Sequence, residues 1–361
     1  MSALSRTTTD EPLGAPQRPS AATALAASPL LEVRDLKVHF PIGAGLIGKP
    51  KAWVKAVDGV SFSIARGRTF GIVGESGSGK STTALAVMRL VRHTAGQILL
   101  GDQDIGNAQG EALRQARRQF QMVFQDPYAS LNPRKRAGDA VREALMLMKA
   151  GDPAGFDARV AELFAQTGLR PEQQMLFPHQ FSGGQRQRIV LARALAANPD
   201  LVVCDEPVSA LDVAIQAQIL NLMQRLQKDL GLTYLFISHD LGVIQHMCDD
   251  VAVMYLGLIV EQAPREALFA RPLHPYTLAL WSAAPSFDPK ARARGQRIRL
   301  QGDPPSPINV PQGCRFAGRC PFAEPRCHAE APPLREVRTG HQIACHRVSD
   351  SGEPLYPAPS L

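Results

Sequence analysis

The sequence predicts an α/β fold in which helices cover both faces of a largely parallel sheet, and three observations carry that reading. Short apolar runs such as "DLVVCDEP" and "TYLFISHD" read as strands buried on both faces. Between them lie longer stretches with apolar residues at helical spacing, such as "AIQAQILNLMQRLQKDL". The two kinds of segment alternate, which is the pattern of strands joined by helical crossovers.

The composition agrees. The chain has 361 residues, room for two or three domains, and is 45% hydrophobic and 20% charged, the balance of a soluble globular protein. No apolar run reaches the ~18 residues a membrane span needs. The net charge is +7, and residues 262–361 hold 13 Lys or Arg against 8 Asp or Glu. This excess suits a solvated basic surface or attraction to an anionic partner or an acidic leaflet. No basic stripe interleaved with aromatics is present, so base stacking on nucleic acid is not expected.

In chain order, residues 1–29 are rich in Ala, Ser, Thr and Pro without an apolar period and read as a disordered tail. "AATALAASPLLEV" is short, interrupted by Pro29 and leads directly into a strand pattern, so it is not read as a secretion signal. "LEVRDLKVHF", "VKAVDGVSFSI" and "RTFGIVG" read as strands, with the Gly/Pro-rich loop "PIGAGLIGKPKAW" after the first. "STTALAVMRLVR" follows as a helix. "EALRQARRQF" and a largely helical stretch from Ala137 to Gln166 form a middle segment. "DVAVMYLG" is the last buried-strand pattern; after Gln262 proline density rises and strand patterns fade. The expected division is a tail over 1–29, a core domain over 30–261 with a helical subdomain over about 126–185, and an extension over 262–361.

"GESGSGKST" fits G-x-x-x-x-G-K-[ST] and lies between a strand and a helix, the place such a loop must occupy. Gly74, Gly77 and Gly79 allow backbone angles closed to other residues. Successive N–H groups of Glu75, Ser76, Ser78 and their neighbours can then curl around phosphate oxygens, at the positive end of a helix. Lys80 supplies a point charge to the outer phosphates, Ser81 a hydroxyl to Mg²⁺, and Thr82 continues the helix. The motif resembles that of P-loop NTPases, which implies a RecA-like core. "LVVCDEP" is the expected partner strand. Asp205 can reach Mg²⁺ through its water shell, and Glu206 is placed to polarise an attacking water.

"FSGGQRQR" resembles the signature motif of ATP-binding cassette (ABC) ATPases, and other motifs of that family match in order. The resemblance implies that Ser182, Gly183, Gly184 and Gln185 meet ATP bound by a second cassette. It places Gln125 of "MVFQDP" in a loop that touches Mg²⁺ and water, and Asp212 of "SALD" at the dimer seam. It gives His239 of "FISHD" the switch position beside Glu206. Phe40 is the candidate for stacking on adenine, with Trp53 as its competitor.

Longer stretches narrow the resemblance. "FQDPYASLNPRKR", "DEPVSALDVAIQAQILNLMQRLQ", "LHPYT" and "GDPPSPINVPQGCRFAGRCP" look like the F-type ATPase subunit of dipeptide/oligopeptide ABC importers. The likeness covers residues 31–347. It implies an ATPase at the cytoplasmic face of the cell membrane, paired with a paralogous ATPase subunit. It also implies two transmembrane permease subunits, served by an extracytoplasmic solute-binding protein. Relatives moving nickel, glutathione or a heme precursor leave the solute open. A soluble ABC ATPase acting on nucleic acid or ribosomes is the alternative of another class, but the single cassette and the C-terminal cysteines do not match it.

Those cysteines run Cys314-x5-Cys320-x6-Cys327-x17-Cys345 in a segment that shows little aliphatic core. A reducing compartment argues against disulfides. The spacing fits no C-x2-C zinc module, although zinc held by cysteines, or with His328, His341 or His346 replacing one, stays open. The resemblance implies a [4Fe–4S] cluster, which takes four thiolates. Cys204 and Cys248 read as core residues.

Overall fold

The computed structural model describes residues 28–43, 50–283, 298 and 300–357; the tail expected over 1–29 lies outside them except for its last two positions. β1 (Leu31–Ile42) and β2 (Ala52–Ile64) pair antiparallel. With β4 (Ala95–Leu100) and β5 (Gln103–Asp104) they form a sheet of order β2-β1-β4-β5. The main sheet is built around β3 (Thr69–Val73), β6 (Phe120–Val123), β7 (Leu201–Asp205), β8 (Thr233–Ile237) and β9 (Asp250–Tyr255). These five are parallel, in the order β9-β3-β8-β7-β6.

The apolar runs have the expected cause. In β7, Val202 and Cys204 enter one hydrophobic cluster while Leu201 and Val203 enter another, on the opposite face. Each such side chain contributes about 1.5–3 kcal/mol when fully buried, so the two-sided burial fixes the strand's place. Cys204 and Cys248 are both buried in the first cluster.

Three segments differ from the sequence expectation. The helical stretch over 137–166 is two helices, Ala137–Leu147 and Phe156–Gln166. Between them the chain turns at Lys149 and Gly151, with φ of 49° and 113°, and the Asp152 carboxylate accepts from the Ala154 N–H. β6 begins at Phe120, the last residue of "EALRQARRQF", a stretch that the sequence pattern leaves undivided within the middle segment and whose other residues are helical. Its pairing to β7, with Phe120 opposite Leu201, overrides local propensity.

The third difference lies after residue 262. β10 (Leu258–Pro264), β12 (His341–Ile343) and β11 (Arg335–Arg338) continue the main sheet antiparallel beyond β9. Leu273, Leu278, Val337, Ile343, Cys345, Val348 and Tyr356 make a small core of their own. Phe316 is buried in the large cluster, with Cys314 and Cys320 packed against it. The aliphatic partners missing from the local sequence come from the rest of the chain.

The carboxylate that joins the two parts is Glu261, which is fully buried. It accepts from the N–H groups of Leu273 and His274 at 2.7 and 2.9 Å and pairs with His341 Nε2 at 2.8 Å. Burial pulls the His274 pKa down to about 4, so its ring is neutral at pH 7. Its Nδ1 accepts from the Tyr276 N–H at 3.0 Å.

Candidate active site

The strand order brings the carboxyl ends of β3, β8 and β7 side by side, the crevice where open α/β sheets place their ligands. The loop 74–79 leaves β3 and enters α1 (Lys80–Val87). Gly79 has φ 105°, and a Cβ there would lie 2.3 Å from the Ala56 carbonyl oxygen. A Cβ on Gly74 would lie 2.2 Å from that of Met254. Only glycine fits at either position.

Lys80 is buried and its Nζ donates to the carbonyls of Gly74 and Glu75, both at 2.8 Å. Burial lowers its pKa, while Glu206, Asp205 and Glu75 pull the other way. The Ser78 hydroxyl is buried in the loop with no hydrogen-bond partner. Ser76 and Gly77 form the exposed tip, and Thr82 is half-buried.

Ser81 Oγ donates to Asp205 Oδ1 at 3.0 Å. Burial raises the Asp205 pKa; the Ser81 bond lowers it, the Glu206 charge raises it and Lys80 lowers it. Glu206 takes a left-handed conformation, φ 50°, which costs a non-glycine residue about 1–3 kcal/mol. It is held by its N–H to the Ile237 carbonyl at 2.9 Å and by Ser209 Oγ donating to its own carbonyl at 3.0 Å. The twist aims its carboxylate at His239, whose Nδ1 lies 2.9 Å from Oε1. Gln125 and Asp205 line one open cleft of about 470 Å³. A carboxylate with a hydroxyl suits a hard divalent cation, and a second carboxylate backed by an imidazole suits a base acting on water.

Other expected residues stand elsewhere. Ser182 caps the helix Gly183–Leu195, accepting from the Gln185 N–H at 3.3 Å while Gln185 Oε1 accepts from the Ser182 N–H at 3.0 Å. Asp212 caps the helix Val213–Leu230 through the Ile215 N–H at 3.0 Å. The two starts adjoin, since a Cβ on Gly184 would lie 2.4 Å from Ile215 Cγ2. Among the described residues no hydrogen bond or ion pair joins 182–185 to 74–82. Phe40 and Trp53 are both exposed. Phe40 is opposite Val54, and Trp53 is opposite Pro41, so the two aromatics leave opposite faces of the hairpin. By alternation Phe40 shares the face of the buried Leu36 and Val38.

All six cysteines are free. Cys327 and Cys345 are buried, and Cys314 donates its N–H to the Cys327 carbonyl at 2.8 Å. Burial raises the thiol pKa of Cys314, that of Cys320 to about 11 and that of Cys345 to about 12, and neighbouring cysteines in the set add to each. The four are therefore neighbours. Among the described residues, however, no group of three or more His, Cys, Asp or Glu is placed to hold a metal ion. His341 is committed to Glu261, and His346 Nε2 bonds the Glu330 carbonyl, so neither stands as a spare ligand.

The sequence did not single out three residues that reach this site. The Glu75 N–H donates to Tyr276 Oη at 2.8 Å. Arg319 donates through both terminal nitrogens to the Glu75 carboxylate, at 2.8 and 3.2 Å. Arg315 pairs with Asp58 and donates to the Leu256 carbonyl. Only the family likeness of "LHPYT" and "RFAGRC" marked these segments, because a contact across 244 residues leaves no local period.

The family model described as ABC transporter matches residues 57–209, and that described as oligopeptide/dipeptide transporter, C-terminal region, matches 260–327. The chain is 50% identical to the oligopeptide transport ATP-binding protein AppF of Bacillus subtilis, over 91% of this chain and 100% of that one. It is 47% identical to the di/tripeptide transport ATP-binding protein DppF of Pseudomonas aeruginosa, over 88% and 98%. Among solved structures, the dimeric cassette MJ0796 in a post-hydrolysis state with ADP and phosphate matches with TM-score 0.58 and 26% identity, over 65% of this chain and 98% of that one.

Proposed function

The chain belongs to the ATP-binding proteins of ABC transporters that carry the oligopeptide/dipeptide C-terminal region, and from that premise we propose that it powers import of di- or oligopeptides across the cytoplasmic membrane. Its reaction is ATP hydrolysis to ADP and phosphate. The single observation that carries the proposal is that the loop anchored by Lys80, the Ser81–Asp205 pair and the Glu206–His239 pair meet at one crevice of a chain bearing that C-terminal region.

The roles follow from position. Lys80 and the N–H groups of 74–82 bind the phosphates; Ser81, Asp205 and Gln125 hold Mg²⁺, which when bound neutralises phosphate charge. Glu206 orients and deprotonates the attacking water, with His239 fixing the carboxylate. Phe40, on the face that leads from the core, stacks on adenine. Ser182, Gly183, Gly184 and Gln185 complete the site of a second cassette with Asp212 at the seam; their separation from 74–82 within one chain supports this. A paralogous subunit is the proposed second cassette.

No helix among the described residues is long and apolar enough to cross a membrane. Phe124, Tyr128, Met146, Leu147 and Met175 are exposed in and beside the helical segment next to Gln125. These exposed apolar side chains suit docking on two permease subunits at the cytoplasmic face, with a solute-binding protein outside. Cells lacking the chain are expected to lose uptake of labelled peptides, restored by the parent chain and not by Lys80→Ala. Unchanged peptide uptake with lost uptake of nickel, glutathione or a heme precursor would replace the peptide reading.

Cys314, Cys320, Cys327 and Cys345 are proposed to hold a [4Fe–4S] cluster, with zinc as the other candidate. Four free, neighbouring thiols supply the donor chemistry, although their side chains must close further to ligate. Nothing in hydrolysis uses an electron, so the group would cross-link the segment. Anaerobically purified protein is expected to contain iron and acid-labile sulfide; zinc without iron would refute the cluster.

A further inference from the structure

We propose that Arg319, with Tyr276, is a positioning residue for the phosphate loop, so that the C-terminal extension sets the affinity for the nucleotide's phosphates. The inference rests on the phosphate-loop reading above and goes beyond it by giving the extension a part in the site.

The geometry is specific. Glu75 is the second residue of the loop, and both its backbone and its side chain are held from the extension. Tyr276 Oη takes its N–H at 2.8 Å, and the Arg319 fork takes both carboxylate oxygens. The pair is largely out of water, with side-chain exposures of 10% for Arg319 and 30% for Glu75. The Arg319 Nε is buried without a partner, so the guanidinium is spent on Glu75 and, more weakly, on Tyr255 Oη at 3.4 Å. Behind them Tyr255, Tyr276 and Phe316 pack ring against ring, with centroids 4.7–5.4 Å apart.

A second arginine of the same segment reaches the other end of the loop indirectly. Arg315 grips Asp58 of β2 and the carbonyl of Leu256. The adjacent Gly257 N–H donates to the Ser78 carbonyl at 2.8 Å. Arg315 and Arg319 both lie between Cys314 and Cys320, so the cysteine segment holds Glu75 directly and reaches Ser78 through the backbone of 256–257.

The electrostatics decide what this does. A carboxylate at the second loop position stands among groups that must receive a polyanion. Neutralised by a bidentate guanidinium, it is harmless and orients the loop; unpaired and poorly hydrated, it repels phosphate. Arg319 thus acts through Glu75, without touching the nucleotide itself.

The test measures binding of Mg-ATP, Mg-ADP and adenosine to the full-length chain. Arg319→Ala is expected to weaken ATP and ADP about tenfold and adenosine not at all. Adding Glu75→Gln to Arg319→Ala should restore most of the loss, because the uncompensated charge is gone. Tyr276→Phe, which removes one hydroxyl and keeps the ring packing, should weaken ATP a few-fold and spare adenosine, and it serves if Arg319→Ala does not fold. ATP affinity within twofold of the parent in both single variants overturns the proposal. So does an equal loss for ATP and adenosine, or no rescue by Glu75→Gln. Lys80→Ala separates the two levels: if it binds ATP like the parent, the phosphate-loop reading falls and this proposal with it. If it loses ATP while Arg319→Ala and Tyr276→Phe do not, only this proposal falls.

Discussion

Glu206→Gln will keep ATP bound and slow its hydrolysis by about 10²–10⁴-fold, the usual worth of a placed general base. The amide is nearly isosteric, and the features that fix the residue are backbone ones: the left-handed φ, the N–H to Ile237 and the carbonyl bond from Ser209. These survive the change, so the variant should fold and bind nucleotide like the parent. What it loses is the acceptor that can take a proton from water. Nucleotide binding measured beside phosphate release, in the assembled transporter, checks this. Hydrolysis retained within a few-fold would remove Glu206 from the role of base and leave His239, 2.9 Å away, as the group to examine.

The largest expected effect on stability is at Glu261. Glu261→Ala strands three buried donors, the N–H groups of Leu273 and His274 and the ring of His341. Each buried donor left without its partner costs about 1–3 kcal/mol. The loss should fall first on the segment that the carboxylate fastens, so limited proteolysis should cut within residues 273–357 before the parallel sheet opens. Glu261→Gln, which keeps one acceptor, should lie between parent and Ala. An extension as resistant in Glu261→Ala as in the parent would show that its small apolar core around Leu273, Val337 and Tyr356 suffices alone.

Most of the candidate crevice was legible in the sequence because its chemistry is local. The loop 74–82, the strand ending in Asp205 and the segment ending in His239 each carry their own pattern, and the parallel strand order alone brings them together. Gln125 meets Asp205 for the same reason, β6 being the neighbour of β7. What escaped was non-local. Phe120 belongs to a strand because Leu201 lies beside it, although the residues before it are helical. Glu261 is the last position of the expected core domain, and nothing beside it in sequence names residue 341 as its partner. Arg319 and Tyr276 sit in proline-rich text without periodicity, and nothing near them in sequence names Glu75 as their partner. The cysteine spacing was informative about donors and silent about the apolar packing that Phe316 brings to the same turn.

The pairing of β12 onto β10 has a consequence for how the protein can be handled. A tempting minimal enzyme would stop near residue 262, after the last nucleotide motif. That cut would shorten β10, strip its cover and leave unpaired backbone N–H and C=O groups along the rim of the six strands that remain. Bare rims of this kind recruit other strands, so the shortened chain would tend to stick to copies of itself. The region that looks dispensable by motif is thus also the molecule's guard against self-association.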